Sequence, residues 1–233
     1  LGTSSNGGLA TNYNPINVIN SSVSITPAQL TASIINNPSK TYDGNTVATL
    51  NNSNYNLAGF VAGEGATVNQ TSGTYNSANV LSANPVNATL VSGDFTANSG
   101  TLLSNYQLPN SASGAGSINP KQLTISNLVA DNKTYNATNT ATLSNIGTLT
   151  GLVGTQTLTL NNPNSITFSQ SNAGNNLTVT ASGYSLADGT NGGLASNYSL
   201  SGISSTATTT ANITPKQLTI SNLVANNKTY DAT

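Results

Sequence analysis

The chain has 233 residues, of which 36% are hydrophobic and only 5% are charged, with a formal net charge of −1. Five lysines and no arginine leave no basic patch to neutralise phosphates, so nucleic-acid binding is not expected. The absence of cysteine excludes disulfides as a source of stability. Hydrophobic residues in regular alternation favour folded β-structure over disorder, although the chain is rich in asparagine, threonine and serine.

A long internal repeat organises the chain. Residues 120–138 read PKQLTISNLVADNKTYNAT, and residues 215–233 read PKQLTISNLVANNKTYDAT. A looser copy, PAQLTASIINNPSKTYDGNT, occupies residues 27–46. The prolines that open these copies stand 93 and 95 residues apart. A fixed period of this length predicts tandem modules.

The period divides the chain into four segments. We expect two complete β repeats, residues 28–120 (the first repeat) and residues 121–215 (the second repeat). Residues 1–27 match the C-terminal part of a truncated repeat, and residues 216–233 match the N-terminal part of a further one. We therefore expect the sequence to be a piece of a longer secreted protein, with no membrane span in this segment.

Apolar residues alternate with polar ones along each repeat. Such stretches include QLTIS at 122–126, TLTL at 157–160 and NNLTVTA at 175–181. A period of two with β-branched residues predicts half-buried strands, and Asn-Gly and Asp-Gly pairs predict the turns between them. The expected fold class is all-β, with tandem immunoglobulin-like β-sandwich modules of about 93–95 residues in an extended rod. β-Grasp-like modules and a β-solenoid are the alternatives.

Proline marks each boundary between repeats, at Pro27, Pro120 and Pro215. Proline fixes its own φ angle and holds the preceding residue extended. We therefore expect short, stiff junctions rather than flexible tethers.

Two sets of tyrosines recur at equivalent places in the repeats. The KTY tyrosines are Tyr42, Tyr135 and Tyr230, and the NY tyrosines are Tyr13, Tyr106 and Tyr198. Exposed rings would form a platform that stacks on sugars, whereas buried rings would fill the core and bond the backbone through their hydroxyls. We favour the buried interpretation. Candidate acceptors of N-linked glycans at repeat positions are Asn132, Asn227 and Asn197.

The sequence offers no catalytic, metal or cofactor site. It has no histidine or cysteine, and no carboxylate recurs in every repeat, so we expect no enzymatic activity. The acidic residues are isolated in sequence, which disfavours a calcium site. All five lysines fall at two repeat positions, where blocking of unwanted strand pairing is favoured over an isopeptide crosslink.

Several motifs together resemble a known family. They are KTYDGNT at 40–46, GFVAGEGATV at 59–68, SNYQL at 104–108, and INP or ITP followed by KQLTI. These resemble the YDG and MBG-type repeats of bacterial filamentous-haemagglutinin-like surface adhesins, over essentially the whole chain. The motif changes to KTYNA and KTYDA in the later copies, so glycine is not required at its turn. The resemblance implies secretion by a Gram-negative cell, surface display and no enzyme.

These observations lead to two hypotheses about function. The first is a non-enzymatic extracellular stalk or fibre of a bacterial surface adhesin, mediating attachment to surfaces or cells or the formation of a biofilm matrix. The alternative is a glycan- or surface-binding module that uses faces rich in threonine, asparagine and tyrosine. Expected partners are neighbouring repeats of the same chain, other copies joined through β-strand edges, and host or cell-surface glycans.

Overall fold

The computed structural model describes residues 10–12, 22–201 and 205–232. The prediction of an all-β chain is confirmed, because the regular structure in these ranges consists of strands and short 3₁₀ turns without an α-helix. The finer prediction of an immunoglobulin-like sandwich stays a prediction. Tyr13 and most of residues 1–21 lie outside the described residues. No helix within the described ranges is long and apolar enough to cross a membrane.

The first repeat forms strands β1–β12 and a mixed six-stranded sheet with the order β4-β7-β8-β11-β2-β5. Strands β6 and β9 form a separate antiparallel pair. The strands are β1 Ala28–Gln29, β2 Thr31–Ile34, β3 Ser39–Thr41, β4 Val47–Thr49, β5 Tyr55–Ala58, β6 Ala66–Val68, β7 Ser72–Tyr75, β8 Val86–Thr89, β9 Phe95–Ala97, β10 Tyr106–Gln107, β11 Ser111–Gly114 and β12 Ser117–Asn119.

The second repeat forms strands β13–β23, with a four-stranded sheet of order β15-β23-β20-β19 and a three-stranded sheet of order β17-β13-β22. Two antiparallel pairs, β14 with β16 and β18 with β21, complete it. The strands are β13 Lys121–Ser126, β14 Val129–Ala130, β15 Lys133–Thr134, β16 Leu143–Asn145, β17 Thr148–Thr150, β18 Leu158–Leu160, β19 Ser165–Phe168, β20 Gly174–Ser182, β21 Leu186–Asp188, β22 Tyr198–Leu200 and β23 Ala207–Thr214.

Alternation of apolar residues explains which faces of these strands are buried. The three stretches singled out in the sequence form β13, β18 and β20. Along β20, Val179 and Ala181 are fully buried, and on the corresponding strand of the first repeat, β8, Val86 and Ala88 are buried too. Every second side chain of a strand points to the same face, so one face of each sheet supplies the core.

The first and last strands of each repeat run parallel, side by side. In the first repeat Ala28 pairs with Tyr106 and Lys40 pairs with Ile118. In the second repeat Lys121 pairs with Tyr198 and Lys133 pairs with Ile213. Because both strands point the same way, the chain enters a repeat at one end and leaves it at the other. Thirteen steps of about 3.3 Å would span about 40 Å, which is an upper limit because left-handed residues such as Asn36 and Asn37 interrupt the strands.

Pro120 is the whole connection between the two repeats. Strand β12 ends at Asn119 and β13 begins at Lys121. A one-residue link that contains proline has very little freedom to bend. The chain therefore passes from one sheet edge to the next almost without interruption.

Two near-identical stretches adopt different structures. KQLTIS at residues 121–126 forms β13, which pairs with β17 on one side and β22 on the other. The same six residues at 216–221 form no strand, and Leu218 and Ile220 are 87% and 89% exposed. Because the local sequence is the same, the difference arises from the presence or absence of partner strands.

The paired leucines Leu123 and Leu218 allow a matched test of this difference. Leu123 is fully buried and Leu218 is exposed. We expect Leu123→Ala to lower the free energy of unfolding by about 2–5 kcal/mol, because it removes buried methyl groups and leaves a cavity. Leu218→Ala should change it by less than about 0.5 kcal/mol. Urea unfolding of the two variants measures both values, and equal effects would contradict the assignment of their environments.

Candidate functional site: the junction between the repeats

Strand register brings the predicted proline and tyrosine positions together at Pro120. Thr41 pairs with Asn119, and the N–H of Tyr42 donates to the carbonyl oxygen of Asn119 at 2.8 Å. On the other side of Pro120, Lys121 pairs with Tyr198. A KTY tyrosine of the first repeat and an NY tyrosine of the second therefore lie on either side of the linking proline.

Tyr42 and Tyr198 pack edge to face across the junction. Their ring centroids are 5.2 Å apart with an interplanar angle of 76°. The two residues are only 3% and 5% exposed, so water is largely excluded from the contact. Aromatic pairs of this geometry contribute about 0.5–1.5 kcal/mol beyond the area that they bury.

Gln156 connects the hydroxyls of both tyrosines. Its Nε2 donates to the hydroxyl oxygen of Tyr42 at 2.8 Å, while the hydroxyl of Tyr198 donates to its Oε1. The Tyr198 hydroxyl also accepts the backbone N–H of Val153 at 3.1 Å. A tyrosine hydroxyl with its ordinary pKa of about 10 is protonated and able to donate at neutral pH, and burial raises the pKa of Tyr198 further. The side chain of Gln156 thus bonds a tyrosine hydroxyl from each repeat.

Asn197 forms a second polar contact between the repeats. Its side chain is fully buried. The Oδ1 atom accepts the backbone N–H of Val80 at 2.9 Å, and Nδ2 donates to Oδ1 of Asn79 at 2.9 Å. Asn79 and Val80 belong to the loop at residues 76–85 of the first repeat, which we call the clamp loop. Satisfied polar groups in a buried contact fix the relative orientation of the two partners.

Apolar packing continues across the junction. The core of the first repeat includes two buried residues of the second repeat, Leu123 and Tyr198. Partly buried side chains of the second repeat, among them Leu149, Leu152 and Val153, pack against the same cluster. Residues on both sides of Pro120 therefore belong to one continuous hydrophobic core.

A lysine holds the turn that presents Tyr42. Lys40 Nζ donates to Oδ1 of Asp43 at 2.7 Å, and to the side-chain and backbone oxygens of Asn45 at 2.7 and 2.9 Å. In the second repeat Lys133 Nζ closes the equivalent turn on the carbonyl oxygens of Thr138 and Thr140, at 2.7 and 2.9 Å. The recurring lysine therefore stabilises a turn in both repeats.

In the KTYDG and KTYNA motifs, the residue that follows Asp43 or Asn136 adopts a left-handed conformation. Gly44 has φ +82°, and Ala137 has φ +63° at the same place in the second repeat. An alanine tolerates this conformation at a cost of about 1–2 kcal/mol. At Gly44 an added Cβ would lie 3.1 Å from Cγ1 of Val153, in the other repeat. The glycine of the first repeat thus allows the second repeat to approach closely.

Not all predicted tyrosine positions lie in a buried contact. Tyr106 is buried at the far end of the first repeat, where its hydroxyl accepts the N–H of Val61 at 3.2 Å and donates to Glu64. Tyr135 is 37% exposed and Tyr230 is 91% exposed. Pro27, Pro120 and Pro215 are all exposed.

The structure separates the three candidate glycan acceptors. Asn132 and Asn227 are exposed. Asn197 is fully buried, with both side-chain heteroatoms bonded to the clamp loop. The folded junction encloses the amide nitrogen of Asn197, whereas Asn132 and Asn227 are accessible, and glycosylation at all three stays a prediction.

Sequence reasoning missed Gln156 and the clamp loop. A signal was available for Gln156, because Glu64 occupies the same place in the first repeat and likewise accepts from an NY tyrosine. Asn79 and Val80 correspond to Asn172 and Ala173 in the second repeat, but nothing in the sequence of either pair indicates a contact with Asn197. No group of three or more His, Cys, Asp or Glu side chains able to hold a metal occurs within the described ranges.

Asn197 and Asn105 provide a matched test of the junction. They occupy the same repeat position, but Asn197 is buried against the clamp loop and Asn105 is exposed. We expect Asn197→Ala to lower the free energy of unfolding by about 1–3 kcal/mol, because it leaves the N–H of Val80 without its acceptor. Asn105→Ala should change it by less than about 0.5 kcal/mol. Chemical denaturation provides the comparison, and a neutral Asn197→Ala would mean that the contact adds no stability.

Asp43 gives the turn of the first repeat a dependence on pH. Burial alone raises the pKa of Asp43, but hydrogen bonds from Lys40 and the N–H of Asn45, with the charge of Lys40, outweigh it and hold the pKa below its ordinary value. A lowered folded-state pKa contributes stability above the unfolded value of about 3.9, and this stability is lost as the pH falls through the folded value.

We therefore expect Asp43→Asn to reduce the loss of stability as the pH falls below about 4. The effect should be below about 1 kcal/mol, because the ion pair is partly exposed. Thermal unfolding of the variant and the parent chain across this range measures the difference. Parallel pH profiles would show that the carboxylate makes no net contribution.

Comparison with known proteins gives the family of the chain. A family model for the YDG domain matches residues 26–114 and, a second time, residues 119–210. No curated protein and no solved structure matches the chain. The resemblance to YDG repeats noted in the sequence is thereby confirmed. Since the two matches together cover more than half of the 233 residues, the chain belongs to the YDG domain family, of which it contains two copies in tandem.

Proposed function

We propose that this chain is a non-enzymatic structural segment of a bacterial surface adhesin, in which tandem YDG repeats form an extracellular stalk or fibre. The observation that carries the proposal is the junction at Pro120. There a one-residue link, an aromatic pair and two amide side chains join consecutive repeats. These contacts hold one repeat in a fixed orientation against the next. Such a segment is suited to act as a stiff spacer.

The direction of the terminal strands supports a stalk. Each repeat takes in the chain at one end and releases it at the other. Repeats added in series therefore extend the molecule rather than fold it back, by up to about 40 Å each.

The composition supports an extracellular setting. Only 5% of the residues are charged, and neutral asparagine, threonine and serine side chains supply the polar surface. The resemblance to filamentous-haemagglutinin-like adhesins adds secretion by a Gram-negative bacterium and display at its outer surface. In that setting the stalk would carry adhesive elements in attachment to surfaces or cells, or build the matrix of a biofilm.

The glycan-binding alternative has less support. A sugar platform needs accessible aromatic faces, whereas Tyr42, Tyr106 and Tyr198 are 3%, 6% and 5% exposed. The partly exposed Tyr135 is the remaining candidate within the second repeat. A glycan array probed with the full chain discriminates the two functions, since specific binding that Tyr135→Ala abolishes would favour the binding module.

Loosening the link at Pro120 tests the stalk proposal. We expect small-angle scattering of the parent chain to give an extended particle in which the two repeats span up to about 80 Å, with a narrow distribution of lengths. Insertion of Gly-Ser-Gly-Ser after Pro120 should broaden that distribution and separate the unfolding of the two repeats, because a flexible linker replaces a stiff one.

The same insertion after Gly100 is the matched control. Gly100 is exposed and no heavy atom lies near the position of its absent Cβ, so the control should leave the repeats aligned. A parent chain as variable in length as the Pro120 variant would contradict the proposal.

A further inference from the structure

We propose that the exposed surface around Tyr135 of the second repeat is a docking surface for another copy of this repeat, which places its own NY tyrosine against the Tyr135 ring. Residues 216–221 form the first strand of that copy and become a strand when it is seated. The inference rests on the proposed stalk function, because it describes the stalk's next junction. The docking surface is defined by Tyr135, Ala173 and Pro215, and Lys216 and Leu218 of the segment that follows border the same cleft.

Tyr135 is positioned as Tyr42 is. Its N–H donates to the carbonyl oxygen of Thr214 at 2.8 Å, as the N–H of Tyr42 does to that of Asn119. Each tyrosine follows a strand paired in parallel with the last strand of its repeat. The lysine two residues earlier also lies over an equivalent ring in each repeat, with Nζ to centroid distances of 5.7 Å for Lys40 and 5.6 Å for Lys133.

The two tyrosines differ in what covers them. Tyr42 is 3% exposed and contacts the ring of Tyr198 from the second repeat. Tyr135 is 37% exposed and borders a cleft of about 400 Å³ whose lining is largely apolar. An aromatic ring beside such a cleft, on the face that binds the following repeat at the preceding junction, fits the same occupant here.

The segment after Pro215 points to the same occupant. Residues 216–221 repeat the sequence of β13 but lie exposed without a strand partner. In the second repeat, β13 is held by β17 and β22 of its own repeat. The corresponding strands of another copy would pair with residues 216–221, and this pairing would bring the NY tyrosine of that copy beside Pro215, as Tyr198 lies beside Pro120.

The loop equivalent to the clamp loop has the same length, because Phe168 pairs with Val179 as Tyr75 pairs with Val86. Asn172 and Ala173 therefore occupy the sequence positions of Asn79 and Val80. Ala173 also borders the cleft beside Tyr135, where the docked tyrosine and its preceding asparagine would lie.

A chain with a complete third repeat, built from the protein's own sequence, tests the docking surface. Appending residues 139–214 after Thr233 completes a third repeat, because residues 215–233 match residues 120–138 at all but two positions. Nitration of tyrosine by tetranitromethane, read by mass spectrometry, reports the exposure of each ring. We expect nitration of Tyr135 to slow at least about tenfold in the extended chain, the factor that about 1.4 kcal/mol of protection gives. Tyr230, the KTY tyrosine of the appended repeat, serves as the control and should stay reactive.

Hydrogen exchange follows the new strand in the same molecule. In the parent chain, amides of residues 216–221 should exchange rapidly while those of the identical residues 121–126 are protected. In the extended chain both segments should be protected. Peptides that include Asn119 or Thr214 differ in mass and keep the two segments apart.

Two variants of the extended chain test the role of the ring. Tyr135→Ser should separate the unfolding of the third repeat from that of the second. Tyr135→Phe keeps the ring and should leave the two transitions together.

Protection of residues 216–221 with unchanged nitration of Tyr135 would overturn the docking surface, and so would residues 216–221 that remain unprotected. Slower nitration in a particle that scattering shows to be bent or variable in length would support docking and count against the stalk. An extended particle in which Tyr135 stays reactive would support the stalk and count against docking. A different outcome is that a glycan protects Tyr135 from nitration in the parent chain while the appended third repeat does not. That result would overturn docking and assign the surface to a sugar.

Discussion

The parallel pairing of the first and last strands is the constraint on which the rest of the structure depends. Parallel strands cannot be joined by a tight turn, so the whole repeat between them is the crossover connection. Pairing of Lys40 with Ile118 therefore requires the chain between them to fold and return in the right direction. The same pairing sets where the next repeat begins, because the last strand of one repeat continues through Pro120 into the first strand of the next.

The junction combines apolar burial with a small number of polar contacts that have different effects. Packing of Leu123 and the ring of Tyr198 against the first repeat removes apolar surface from water, which favours association without a strict orientation. Asn197 is satisfied in only one arrangement, since a shifted repeat would leave this fully buried amide without partners. Half-buried Gln156 bonds both tyrosine hydroxyls in that same arrangement. These side chains therefore contribute more to the angle between the repeats than to their total stability.

The sequence predicted the β class and the tandem YDG copies, because alternation and near-identical stretches are visible without long-range information. It did not predict the partners of Asn197. Asn79 and Val80 lie far from it along the chain and become neighbours only through the pairing on either side of Pro120. Nor could local pattern distinguish residues 121–126 from residues 216–221, which are identical in sequence and differ only in the strands available to pair with them.

The side-by-side terminal strands also determine how a repeat carries mechanical tension. A pull on the two ends of the first repeat acts on β1–β3 and β10–β12 in opposite directions along their length. Their hydrogen bonds are then loaded together in shear, instead of opening one after another as in a hairpin that is pulled apart at its open end. Since Pro120 transmits the load directly into β13, successive repeats bear the tension in series, and resistance of the chain to a sustained pull depends on the unfolding rate of the weakest repeat.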